Sequence, residues 1–209
     1  MYISGMKDYK GDGMAVYENY VAFWGGAFSN FYNCKIHVDT DWDGNKVDLN
    51  FNCSEQYFMW LKATWFHDYD IAEKIFQAKT PKEAKALGRQ FEGFEEEEWT
   101  EIREAAMWNA VYAKFSQNED LKTFLLNPDF NGKGFVEGSP IDVIWGVKIH
   151  YESPNIDDES QWNGLNLLGK TLDKVRRSLI VGNYEDQVKS ANDDITNTQL
   201  LGGAIQAAL

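Results

Sequence analysis

The sequence predicts an α+β domain in which helices dominate, and three observations carry that reading. Residues 33–53 hold two extended segments around a turn-rich centre, the pattern of a β-hairpin. Residues 54–126 carry helix caps and apolar stripes at helical spacing. Residues 127–150 return to turns and extended structure before a last apolar helix. A block of helices set between strand regions is an α+β arrangement, not a βαβ repeat. At 209 residues the chain has room for one large domain with a real core. The expected division is a flexible N-terminus at 1–16, a domain at 17–182 and an appendage at 183–209, where the sequence turns acidic and amide-rich.

The elements follow in order. Tyr17 to Phe31 reads as extended structure running into a loop, with Gly25-Gly26 marking a turn. Asn30 stands between Phe28 and Phe31-Tyr32, where a buried amide must bond either its own turn or a ligand. The hairpin delivers Cys53-Ser54-Glu55-Gln56-Tyr57-Phe58-Met59-Trp60-Leu61-Lys62-Ala63, a helix start with one carboxylate ahead of an aromatic, apolar run. Ser54 is the expected N-cap, and the amide dipoles beside it are expected to keep Glu55 ionised. Lys62 lies seven residues on, two turns down nearly the same face. Taken alone, Glu55 reads first as a helix-capping acid on an ordinary core helix. Ile71 to Ala78 forms a short helix, and Thr80-Pro81-Lys82-Glu83 is a capping box opening a helix that Gly88 closes. Lys79, Lys82, Lys85 and Arg89 gather there, either as a solvated face or as an anion-binding patch. The acids Glu95 to Glu98 load the start of a long helix to about Ser116, with Trp99, Ile102, Ala106, Asn109 and Ala113 as its buried face. A short helix at Glu119 to Leu126 follows. In the second extended region Glu137 and Asp142 stand among Phe135, Ile144 and Trp145, where acid is costly to bury. An Asp after Pro140 is also a common turn former. The final helix shows a core stripe of Leu168, Leu172, Val175 and Leu179.

Composition narrows the function. A net charge of -13 argues against broad binding to nucleic-acid phosphates, while eight Trp, thirteen Phe and ten Tyr suffice for a stacking pocket as well as a core. No apolar run is long enough to span a bilayer, and the N-terminus lacks the regions of a signal peptide, so a cytoplasmic protein without membrane contact is expected. Cys34 and Cys53 read as buried thiols. His37, His67 and His150 lack metal-ligand spacing, and no phosphate-binding glycine loop or serine-hydrolase elbow occurs.

Six motifs together resemble the NADAR, or YbiA-like, family. They are Phe28-Ser29-Asn30-Phe31, Ser54 to Phe58 with Lys62-Ala63, Ala84 to Arg89, Lys114-Phe115, Glu137 to Gly146, and Trp162 to Gly169, in register over roughly residues 20–180. The resemblance implies a compact, mostly helical α+β fold and an N-glycosidase without cofactor or metal. It implies Glu55 and Asp142 as the catalytic acids, with Asn30, Phe31, Tyr57, Lys62, Arg89, Trp145, Trp162 and Asn166 lining the substrate site. The substrate it implies is an ADP-ribosyl or phosphoribosyl group. The first choice is ADP-ribose on guanine in DNA, read locally and placed there by a DNA ADP-ribosyltransferase toxin, and the second is a phosphoribosylated intermediate of riboflavin synthesis. Gln56 stands where many relatives have His, and Met59 where they often have Gln. Two other classes remain: an ADP-ribose or nucleotide-binding module, which needs the pocket but not the acids, and an interaction protein acting through its acidic tail. With no metal motif in the sequence, activity is expected to survive exhaustive chelation. Loss of turnover on EDTA dialysis, restored by zinc or magnesium, is the contrary result.

Overall fold

The computed structural model describes residues 12–42, 45–90 and 93–182. The expectations made for residues 1–11 and for the tail at 183–209 fall outside these. Strands β1 (Met14–Val16) and β2 (Tyr20–Phe23) form an antiparallel pair, so regular structure begins ahead of Tyr17. A turn through Gly25 and Gly26, both at positive φ, leads into the loop that holds Asn30. The hairpin expected at 33–53 is β3 (Ile36–Trp42) with β4 (Asn45–Phe51). Its alternation turns Ile36, Val38, Leu49 and Phe51 to the core and His37, Asp39, Asp48 and Asn50 to solvent.

Helix α1 (Ser54–Trp65) is buried on nearly its whole circumference, from Ser54 through Trp65 with Lys62 alone half-buried. A helix apolar all round needs cover on every side. Helices α2 (Tyr69–Gln77), α3 (Pro81–Leu87) and α4 (Glu96–Ser116) supply it, packing on α1 from different directions. Helix α5 (Glu119–Leu125) follows α4. Strand β5 (Gly134–Glu137) then lies parallel to β2, with Phe23 opposite Glu137, and α6 (Leu167–Val181) packs on β5 and α4. The sheet order is β1-β2-β5.

Several local expectations hold in detail. Thr80 Oγ1 accepts from the Glu83 N–H at 3.1 Å, and Glu83 answers by accepting from the Lys79 N–H at 2.8 Å. Leu168, Leu172 and Val175 are buried core residues, and both cysteines are free thiols, Cys53 buried and Cys34 half-buried. Two expectations change. The N-cap of α1 is Cys53, whose Sγ accepts from the Gln56 N–H, while Ser54 is already helical and its hydroxyl donates to Asn30. In the second extended region only Gly134–Glu137 is strand; residues 139–150 are turns, because Asp142 folds the chain back on itself.

Phe28 is the hub of the aromatic core, with Phe23, Phe124, Phe130 and Phe135 ringing it at centroid distances of 4.8 to 5.9 Å. Gln56 performs a different task. Its Nε2 lies 2.9 to 3.2 Å from the carbonyls of Ile75, Phe76 and Ala78, capping the end of α2 from inside the core. Substituting Gln56→Leu strands those acceptors, and urea unfolding is expected to show a loss of about 1–3 kcal/mol.

Candidate active site

Four faces meet in one cleft of about 270 Å³. Helix α1 contributes Glu55, Phe58, Met59 and Lys62, the i, i+3, i+4, i+7 set that shares one side of a helix. The end of α3 contributes Lys85, Gly88 and Arg89; α4 contributes Glu96, Trp99 and Arg103; the turn after β5 contributes Asp142, Ile144 and Trp145. Gly88 permits the close approach of α3, since a Cβ there would fall 2.4 Å from Met59 Sδ.

Glu55 sits at the back. Its N–H donates to the Asn30 carbonyl at 3.0 Å, and the residue is only 4% exposed. The Lys85 ammonium stands 3.7 Å from its Oε1. Burial raises the Glu55 carboxyl above the usual carboxylate range and nearby Asp142 adds to the effect, while Lys85 and Arg89 work against it. Desolvation thus opposes the helix dipole that was expected to keep Glu55 ionised. Asp142 is fixed differently. Its Oδ1 accepts from the Ile144 N–H at 2.9 Å and the Trp145 N–H at 2.8 Å, and its own N–H donates to Ser139 Oγ at 3.2 Å. Asp142 is thus both the turn former and a wall of the cleft.

The cations and aromatics interleave. Lys62 Nζ lies 4.0 Å from the Phe94 ring centroid and 3.5 Å from the Gly88 carbonyl, and burial lowers its pKa. Arg103 pairs with Glu96 at 3.7 Å. Phe58 meets Trp99 at 5.4 Å and Trp145 at 5.3 Å between centroids, which makes one wall aromatic.

Of the residues expected at the site, Glu55, Asp142, Lys62, Arg89 and Trp145 are brought together. Phe31 stands beside them, 41% exposed, with Lys85 Nζ 5.5 Å from its ring centroid. Four others are corrected. Tyr57 lies around the helix from Glu55 and stacks on Phe51 at 4.9 Å. Trp162 packs edge-on against Tyr20 and donates to the Ile156 carbonyl. Asn30 is buried under the start of α1, accepting from Ser54 Oγ and donating to Met107 Sδ. Asn166, held at φ 53, accepts from the Glu137 N–H and donates to the Phe135 carbonyl, tying α6 to β5. All four support elements that carry the cleft.

Three participants were not in the expected set. Lys85 and Arg103 are signalled by spacing, four residues from Arg89 and from Trp99 respectively. Glu137 is the third, outside the lining of the cleft but within electrostatic reach of Asp142 and Glu55. Its Oε2 is buried without a hydrogen-bond partner among the described residues, and desolvation, with Asp142 and Glu55 also acting on it, pushes its pKa up to about 8.

Fold and cleft define an α+β domain that sets the buried acid Glu55 and the cations Lys62, Lys85, Arg89 and Arg103 around one cleft. The chain belongs to the NADAR family: the NADAR domain model matches residues 22–180. It is 38% identical over 160 residues to Protein irg-1 of Caenorhabditis elegans, covering 73% of this chain and 74% of that one. A protein of Acanthamoeba polyphaga mimivirus named as an N-glycosidase is 33% identical over 167 residues, with 76% and 95% covered. The solution structure of the E. coli protein YbiA superposes with a TM-score of 0.59 at 26% identity, covering 83% of this chain and 92% of that one.

Glu137 is expected to make stability fall as pH rises. A carboxyl that ionises near 4.5 when unfolded and near 8 when folded keeps its proton in the native state across that window, so its contribution is full below the lower value and lost as pH rises through the upper. Urea titrations from pH 5 to 8 are expected to show wild-type stability declining relative to Glu137→Gln, with a slope of up to about 1.4 kcal/mol per pH unit. Parallel curves would remove the assignment.

Proposed function

We propose that the chain is an N-glycosidase that hydrolyses the bond between the anomeric carbon of a phosphorylated ribose and a nitrogen of its base. The observation that carries this reading is the placing of the buried acid Glu55 in the same cleft as Lys62, Lys85, Arg89 and Arg103. Relatives named as N-glycosidases support it.

In the reaction the carbon–nitrogen bond breaks with its electron pair going to nitrogen, and the oxygen of water bonds to the anomeric carbon. One water proton is retained in the new hydroxyl and the other ends on the base. The ribose passes through an oxocarbenium-like state that a fixed carboxylate stabilises. Asp142, anchored by two backbone amides, supplies that charge. Glu55 transfers the proton: burial raises its carboxyl above the usual carboxylate range, so it holds a proton more readily than an exposed one, while Lys85 beside it stabilises the anion it forms in turn. Lys62, Arg89 and Arg103 hold phosphate, and Trp99, Trp145 and Phe31 offer stacking surface to a base.

The favoured substrate is ADP-ribose on guanine in DNA. Cations from α1, α3 and α4 exceed what one phosphate requires, and the net charge of -13 gives a duplex no long-range attraction, so the modified nucleotide is read at close range. The modest cleft volume, about 270 Å³, favours a smaller second candidate, a phosphoribosylated intermediate of riboflavin synthesis.

The test incubates the protein with an ADP-ribosylated DNA oligonucleotide and, separately, with early riboflavin intermediates, following release of ADP-ribose or ribose 5-phosphate. Release from the first is expected, and Glu55→Gln is expected to reduce it by roughly 10²-fold or more with the fold intact. Release from the second alone selects the second substrate. ADP-ribose bound without turnover of either makes the chain a binding module, and a fully active Glu55→Gln removes Glu55 from the chemistry.

A further inference from the structure

Away from the cleft, the outward face of the β3–β4 hairpin brings three donor side chains into one place. One ligating atom each of His37, Asp39 and Asp48 lies within 4.8 Å of the others. We propose that His37, Asp39 and Asp48 bind a divalent cation of the borderline class typified by zinc, with water completing its shell.

The residues are separated in sequence but adjacent by register. Strand alternation sets His37 and Asp39 on one face, and Asp39 pairs directly with Asp48 across the hairpin. No linear motif reveals such a set, because the donors come from two strands. Chemistry selects the cation: imidazole suits zinc, nickel and copper, while a pair of carboxylates adds harder oxygen ligands and two negative charges.

The charge pattern points the same way. Like charges directly opposite on a strand pair are unfavourable. The Asp41–Lys46 rung pairs opposite charges, whereas Asp39–Asp48 pairs two negative ones. What faces the two aspartates is the imidazole, with Nε2 3.5 Å from Asp39 Oδ1 and Nδ1 3.2 Å from Asp48 Oδ1. A dication at this position would neutralise both.

The site is also braced. The His37 N–H donates to Gln117 Oε1 at 2.7 Å, and its carbonyl accepts from Gln117 Nε2 at 2.9 Å, which fixes this part of β3 to the end of α4. Asn50 Oδ1 lies 3.4 Å from His37 Nδ1. Asn50 also donates to Asp48 Oδ1 at 3.3 Å. No residue of this hairpin lines the cleft, so the cation has no part in the proposed hydrolysis.

Isothermal titration of tag-free, EDTA-treated full-length protein with zinc chloride, and in parallel manganese chloride, tests the proposal. One zinc ion per chain is expected, bound more tightly than manganese. His37→Ala is expected to lose affinity by roughly 10-fold or more, and Asp39→Asn and Asp48→Asn, which preserve the hairpin's shape, are expected to do likewise. Circular dichroism of all three should match wild type. No zinc binding at millimolar concentration, or binding unchanged in the three variants, overturns the site and leaves an imidazole bridging two carboxylates.

Discussion

Glu55 is a carboxylate held almost wholly out of water, and the rest of the molecule is arranged to make that tolerable. Moving an isolated charge into an apolar interior costs several kcal/mol unless a partner offsets it. Here the partner is Lys85, carried by α3, and α3 reaches α1 closely only because Gly88 has no side chain. The start of α1 is in turn fixed by Asn30, which receives both the Glu55 N–H and the Ser54 hydroxyl. Remove the buried acid, and the closeness of α3 and the shape of the 29–31 loop lose their common purpose.

Around this pair the acids divide by environment. Glu55 and Glu137 are pushed toward their neutral forms by burial, whereas Asp142 is held by two amides of its own turn. Carboxyl groups placed so differently within one small region are suited to different duties. The lysines and arginines that stand with them account for the basic character of residues 79–89 in an acidic protein. Lys85 and Arg89 face the cleft and Lys79 and Lys82 face solvent, so the anion-binding and solvated-face readings each describe half of the group.

Local signals carried much of this into the sequence. The capping box at Thr80, the periodicity of α6 and the seven-residue spacing of Glu55 and Lys62 are properties of short windows, and each is found in place. What was illegible depends on distant packing. Tyr57 was expected at the site for its nearness in sequence to Glu55, but two residues on a helix turn a side chain most of the way to the other face. Trp162 and Asn166 belong to a motif shared with the family, yet they secure the second small core and the β5–α6 joint. Gln56, expected from the resemblance to depart from the family pattern near the ligand, faces the end of α2 and not the cleft. Glu137 was read with Asp142 as an acid among Phe135, Ile144 and Trp145, but the fold-back in which the Val147 N–H donates to the Glu137 carbonyl is visible only in the structure.

The parallel pairing of β2 with β5 joins segments separated by more than half the chain. During synthesis the helices that carry Glu55 and Lys85 leave the ribosome well before the strand and turn that carry Glu137 and Asp142. A nascent chain therefore holds the acid and its cation before the opposite wall of the cleft exists. The pairing has a second edge: a slip of one residue in β5 would turn Glu137 to the other face of the sheet and carry the Asp142 turn with it. An assembled cleft thus reports on the pairing of β2 with β5, which makes its closure a probe of correct topology.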